Sequence, residues 1–444
     1  MKGVALAAAV LAAFAAPGLA RAELIPGSAG AQDSLLAIRS DGTPLVAYVA
    51  ADNSVVLGVR SAAGTWTTQP VAMPKLTSPP AVVGLAQTAT GTALLAEATN
   101  GSRLVLAEQR NGVWTTRVIA NAPVAGALGF GGLAIDLAGR PVVAYASLVS
   151  SRKTTLKLVR ENAAGKLSSE EITKLGFPAS SDLPTVAPTV LPSGKVRVVE
   201  AYTGATIEWY RANNGKWMGQ FIFANSLAEP AGVARAIPNP AGDAWSAWTE
   251  LYPSAGESHV ILGQNANADH TTILDTHAFV VGLATTPAGP EVAADDYVDL
   301  LGARTVYAGV ILSASGTPVE LDGNLEGYAV EPGGGRQYLI LDATGVSWYR
   351  SPTAPTARVT LSAAVDGASF VLTGQVTGAP AGGSVEIDRE TGQGQQLLTT
   401  VPLAADGTFT LTDLPPSRPL TYRAVYRDAN GVPLASLVRA ILGA

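Results

Sequence analysis

Short apolar runs recur along this chain, each opening after a turn glycine and most closing on an aromatic or acidic residue. The runs are 43–48, 92–97, 140–145, 195–200, 243–248, 290–295 and 336–341. Each is about six residues long and bounded by Gly and Asp turns, which predicts buried β-strands rather than helix fragments. No stretch sustains an amphipathic helical period.

The turn glycines that precede these runs are Gly42, Gly91, Gly139, Gly194, Gly242, Gly289 and Gly335, spaced 49, 48, 55, 48, 47 and 46 residues apart. A repeat of that length is the signature of a β-propeller with one four-stranded blade per repeat. A further strand in five repeats ends in arginine: Arg60, Arg110, Arg160, Arg211 and Arg350. A Gly-x-Trp turn follows at Gly64–Trp66, Gly112–Trp114 and Gly215–Trp217, while Gly165 is followed by Leu167. Repeats five and six depart from this pattern. The seventh stops at Arg350 without an outer strand before Pro352, so the segment near Glu23–Ile25 is expected to supply it and close the ring.

Beyond the linker-like Ser351–Pro355 the pattern changes. Strands are expected at 358–364, 369–376, 384–388, 396–402, 408–411, 421–426 and 434–441, a density that suits an immunoglobulin-like β-sandwich. The run from Leu414 to Tyr422 resembles the tyrosine corner of such domains, which implies a Tyr422 hydroxyl bonded to upstream backbone. With neither the cysteine pair nor its packed tryptophan, the resemblance is to fibronectin-type or bacterial surface sandwiches. The expected fold is thus all-β: a seven-bladed β-propeller over 23–352, then a linker and sandwich over 353–444.

Residues 1–22 read as a secretory signal peptide. Lys2 starts it, an apolar core runs from Val4 to Ala16, and Ala20-Arg21-Ala22 offers a small-x-small cleavage site. That core is too short for a stable membrane anchor, and no later run of apolar residues is long enough to span a bilayer. The remainder carries 27 basic and 35 acidic residues, a net charge of −8, which gives no general attraction for nucleic acid or anionic membranes. Secretion or periplasmic residence is expected. The absence of cysteine excludes disulfides, thiol nucleophiles and thiolate metal sites. The Ala-, Gly- and Val-rich bias points to a bacterial source.

Candidate chemistry comes from the ends of the apolar runs. Six residues after successive glycines stand Tyr48, Glu97, Tyr145, Glu200, Trp248 and Asp295, with Asp342 reached by a one-residue slip in the last repeat. Carboxylates interleaved with aromatics at a channel mouth would suit a glycan or a cation, through bonds to hydroxyls and ring stacking. The competing reading has the tyrosines packed between blades and the acids facing solvent. Ca²⁺ could be held by Asp295, Asp296 and Asp299, with a solvated acidic loop as the competing reading; His270, Asp275 and His277 lie close in sequence, but their spacing has no strong ligand logic on a strand. No other cofactor is indicated.

The Gly-x-Trp turns, as in Ser61-Ala62-Ala63-Gly64-Thr65-Trp66, resemble degenerate Asp-box repeats of the sialidase-type propellers, with the box Asp missing. The resemblance covers about 23–352 and implies a structural role for those tryptophans. A sialidase-like hydrolase would need several inner-strand arginines, for which Arg39 and Arg235 are the candidates. The repeated arginine also resembles that of propeller lectins, and equally suits a repeated salt bridge. The reading is a non-enzymatic binding protein with a glycan or cell-surface protein as partner. The alternatives are an adhesive scaffold using blade sides and the sandwich, and a glycosidase.

Overall fold

A computed structural model describes residues 22–440, apart from 77, 123–127, 130, 151–152, 176–183, 203–204, 225–228, 240–241, 253–256, 265–270, 276–277, 301–302, 315, 343, 381, 392–393 and 415–419. The proposed signal peptide, most of the Leu414–Tyr422 run, His270 and His277 lie outside the described residues. So do the side chains of Asp275, Asp296 and Asp299.

The described secondary structure is all β. The first sheet is an antiparallel meander of Asp33–Ile38, Pro44–Val49, Val55–Arg60 and Trp66–Pro70. The same unit recurs, with first strands Pro80–Gln87, Gly132–Ile135, Thr185–Val190, Glu229–Pro238, Ala278–Thr286 and Asn324–Val330. Each first strand adjoins the next, and Asn324–Val330 returns to adjoin Asp33–Ile38, so the first strands close a circle. The second strands are sandwiched between neighbouring sheets; Pro44–Val49 is buried at every position. This double burial is why their sequences read as unbroken apolar runs.

Turn glycines behave as expected at Gly42, Gly139, Gly194, Gly242 and Gly289, all with positive φ. Gly91 differs. It is not among the positive-φ glycines, and a Cβ there would meet the Gln109 carbonyl oxygen at 2.0 Å. In the last repeat Gly334, rather than Gly335, carries the positive φ.

Circle closure uses the N-terminal segment. Glu23–Leu24 pairs antiparallel with Gly345–Ser351, with Glu23 opposite Trp348 and Leu24 opposite Ser347. The Ile25 N–H extends the pairing to the Val346 carbonyl at 2.9 Å. The recurring arginines form ion pairs: Arg60 with Glu23, Arg110 with Glu108 and Glu161, Arg160 and Arg211 with Glu170, and Arg350 with Glu331.

The C-terminal strands form two layers. One has the order Arg358–Asp366, Ser369–Thr377, Thr408–Asp413. The other has Gly394–Pro402, Ser384–Thr391, Leu420–Arg427, Pro433–Ala440. This second layer does not stop at its own edge. Leu434 pairs with Leu321, making one eight-stranded sheet with the 278–322 unit. One apolar cluster spans the join, from Ile311, Val319 and Leu321 to Phe370, Leu372 and Tyr422, and takes in Leu325, Tyr328 and Tyr338 of the last unit. Full burial of each such side chain contributes about 1.5–3 kcal/mol. The Arg423–Asp322 ion pair also crosses the join. The Tyr422 hydroxyl donates to the Asp413 carboxylate at 2.6 Å.

Candidate functional site

Six of the seven sequence-derived binding residues lie inside the sheets. Tyr48 is buried and donates to the Pro26 carbonyl at 2.9 Å. Tyr145 and Trp248 are buried, the latter donating to Glu250 Oε1 at 2.9 Å. Glu200 is buried and takes the Trp209 indole N–H at 2.8 Å. Glu97 and Asp295 each accept from the backbone of the next sheet, at Gly131 (3.4 Å) and Leu325 (2.7 Å). Asp342 alone is exposed, capping a turn through Thr344. None of the seven lines the cavity at the centre of the circle. Asp295, the one described side chain of the proposed Ca²⁺ group, is thus engaged, and the group sits in the strand Gly289–Leu300 rather than a loop.

The Glu97 and Asp295 bonds belong to a set. Side-chain oxygens of Glu326, Asp33, Thr185 and Thr249 accept from the N–H groups of Ser34, Val82, Ala234 and Val280 respectively, each in the following sheet. Inner-strand N–H groups that would otherwise lack partners at the sheet junctions are satisfied this way. Close approach of the same strands depends on glycine: a Cβ on Gly84 would lie 2.5 Å from Leu133, and one on Gly327 2.7 Å from Leu36.

What the circle encloses is a cavity of about 180 Å³. Its walls are first-strand residues, mostly apolar or glycine, including Leu35, Val83, Leu133 and Val281. Among the described residues lining it, Arg235 and Glu326 are the charged ones. Asp33 stands close enough to act on both electrostatically. Burial lowers Arg235 to about 10, partly opposed by Asp33, so the guanidinium stays protonated at neutral pH. Burial and the neighbouring Asp33 raise Glu326 to about 8. Asp33 is raised to about 6, burial outweighing its bonds from the Val82 and Ser34 backbone. Arg39 follows the first strand and is not among the cavity-lining residues.

Arg235 was legible in the sequence only as an inner-strand arginine. Glu326 carried no signal, because its position in the last repeat is offset from the ends of the apolar runs.

The circle of sheets around a central cavity defines an all-β, propeller-like protein. Neither a family model nor a curated protein matches the sequence. Among solved structures the chain is similar to the lectin AAL of Aleuria aurantia, a point mutant in complex with Fucα1-6GlcNAc. That match has 11% identity and a TM-score of 0.39, covering 85% of this chain and 98% of the lectin. It is also similar to the β-propeller domain of Cps50 (Swd1) from Myceliophteria thermophila, with 11% identity and a TM-score of 0.46, covering 74% and 98% of the two chains. A putative gluconolactonase is similar at 13% identity and a TM-score of 0.36, covering 73% and 93%.

Proposed function

We propose that this chain is an exported, non-enzymatic binding protein: a seven-bladed β-propeller joined to an immunoglobulin-like sandwich, holding a small polar ligand, such as one sugar unit of a glycan, in its central channel. The observation that carries this reading is the cavity itself. A closed circle of apolar inner strands places two charged side chains, Arg235 and Glu326, in its wall. A few polar groups converging on one concavity are what orients a small ligand. At about 180 Å³ the cavity is smaller than the roughly 300–1,000 Å³ of sites for drug-sized ligands. It therefore suits a single small unit rather than an oligosaccharide. The strand order of the two C-terminal layers supports the sandwich, and the apolar segment before Glu23 supports export.

The test is calorimetry with residues 23–444, kept whole because one sheet runs through both parts. The chain is titrated with a panel of neutral and acidic monosaccharides, alongside Arg235→Ala, and the sugars are recovered and analysed afterwards. The expected result is one-site binding, weakened by Arg235→Ala, with the sugars unchanged. No binding across the panel overturns the reading; a converted sugar replaces it with an enzyme.

A further inference from the structure

We propose that the outer strand Trp217–Ala224 is a docking edge for a second copy of this chain, the two copies pairing antiparallel about a two-fold axis at Gln220. This surface is independent of what the channel holds.

The outer strands of the circle differ in how they guard their free edges. Trp66–Pro70 is short and ends in proline. Val113–Asn121 carries Arg117, and Leu167–Leu175 carries Glu170 and Glu171. Thr271–Asp275 is short and ends in an acid. Val319–Asp322 is continued by Pro433–Ala440, and Glu23–Leu24 is two residues long. Charge, proline, shortness and cover are the features that keep sheet edges from pairing with another chain. Trp217–Ala224 has none of them. Its eight residues include no charge and no proline, and no described strand pairs with its outer edge. Met218 and Phe221 on it are 48% and 57% exposed. Open backbone groups beside large apolar side chains form a template that an added strand completes. The register with Ala205–Arg211 skips the buried Ile222, so the regular edge runs from Trp217 to Phe221.

Composition and register select the occupant. Symmetric pairing sets a strand against itself, so a strand with charges of one sign repels its copy. Leu167–Leu175, with Glu170 beside Glu171, is such a strand, and Trp217–Phe221 is not. A two-fold axis normal to the sheet joins the same patch on both copies. With that axis at Gln220, the two Gln220 amides face each other, and each offers a donor and an acceptor. Phe221 then stands opposite Gly219 of the second copy. Gly219 lies opposite Trp209 within its own sheet, and a Cβ on it would be 2.8 Å from the Trp209 ring. The incoming Phe221 ring covers this bare glycine and meets the edge of Trp209, an aromatic-over-glycine pairing that stabilises sheet edges. A strand edge is far smaller than the roughly 20–30 residues a side of a standard stable interface, so the dimer is weak and depends on concentration.

Sedimentation velocity is run on residues 23–444 from low micromolar to near-millimolar concentration, alongside Gln220→Lys, Gln220→Glu and an equal mixture of the two. Gln220 is exposed, so both variants keep the fold, which circular dichroism verifies. The expected result is a wild-type dimer fraction that rises with concentration. Each variant places like charges on the axis and dimerises at least about fivefold more weakly. The mixture sets Lys against Glu and regains wild-type dimerisation. A wild-type chain that stays monomeric throughout overturns the proposal and leaves this edge to an extended segment of another protein. Dimerisation that neither variant weakens overturns it in favour of another face. Weakened variants that mixing does not rescue overturn the two-fold pairing at Gln220. Assembly beyond the dimer also overturns it, because a two-fold edge closes on itself.

Discussion

Glu23 grips Arg60 through two hydrogen bonds, 2.7 Å to Nε and 2.6 Å to a terminal nitrogen, and so ties the last sheet of the circle to the first. The same carboxylate accepts the Trp66 indole N–H at 2.9 Å, and the Trp66 ring meets Trp348 edge-on at 5.9 Å. The paired side chains are 22% and 32% exposed, so solvent screens them only in part. Glu23→Ala is expected to lower stability by about 1–2 kcal/mol, below the upper range for charged hydrogen bonds because of that exposure. Thermal unfolding checks this, and an unchanged Tm would mean that Glu23–Leu24 strand pairing alone holds the closure.

Thr249→Val keeps the side-chain shape but removes the acceptor 2.8 Å from the Val280 N–H, at a residue 1% exposed. An orphaned buried donor costs about 1–3 kcal/mol. A lower urea midpoint with an unchanged slope is the expected outcome. If the midpoint does not move, the side-chain bonds between sheets are dispensable.

Stability should fall as pH rises from mildly acidic to alkaline. Burial raises Glu97 and Glu326 to about 8, Glu200 and Glu208 to about 7, and Asp33 to about 6. Between the ordinary carboxylate range and these values the folded chain holds protons that the unfolded chain has released. Stability from these groups is therefore full below the unfolded values and is lost as pH passes the folded ones. A higher Tm at about pH 5 than at about pH 8 is expected, with a shallower slope in Glu97→Gln. A Tm that rises over this interval contradicts the assignment. Carboxylates held low by their partners, such as Glu331 beside Arg350, act in the opposite sense at lower pH.

Tyr422→Phe removes the 2.6 Å bond to Asp413, whose carboxylate also receives Arg389 at 3.0 Å. A loss of about 1–2 kcal/mol is expected from a buried bond to a charged acceptor. Because one apolar cluster spans the join with the 278–322 unit, the whole chain should unfold in a single transition. Calorimetry that resolves two transitions would mean that the join is not cooperative.

The strands were legible because double burial leaves an apolar run of fixed length. The run 43–48 became Pro44–Val49, buried at every position. Closure was legible at Arg350, where a strand partner was missing. The binding residues were not legible in the same way. Glu97 ends an apolar run as a ligand-facing acid would, yet its carboxyl receives the Gly131 N–H of the next sheet. An acid at a strand end looks identical in sequence whether its partner is a ligand or a neighbouring backbone.

The sequence by itself determined the repeat, the strand positions and the segment that closes the circle, because these follow from local periodicity and from counting strands. Only the tertiary structure decided that Arg235 and Glu326 share one cavity while Tyr48 and Glu200 are buried in the sheets. The continuous sheet through Leu321 and Leu434 was decided there too. The reason is geometric. Whether a side chain reaches the central space depends on which strand is innermost and on the sheet packed beside it, and those neighbours are brought together only when the circle closes.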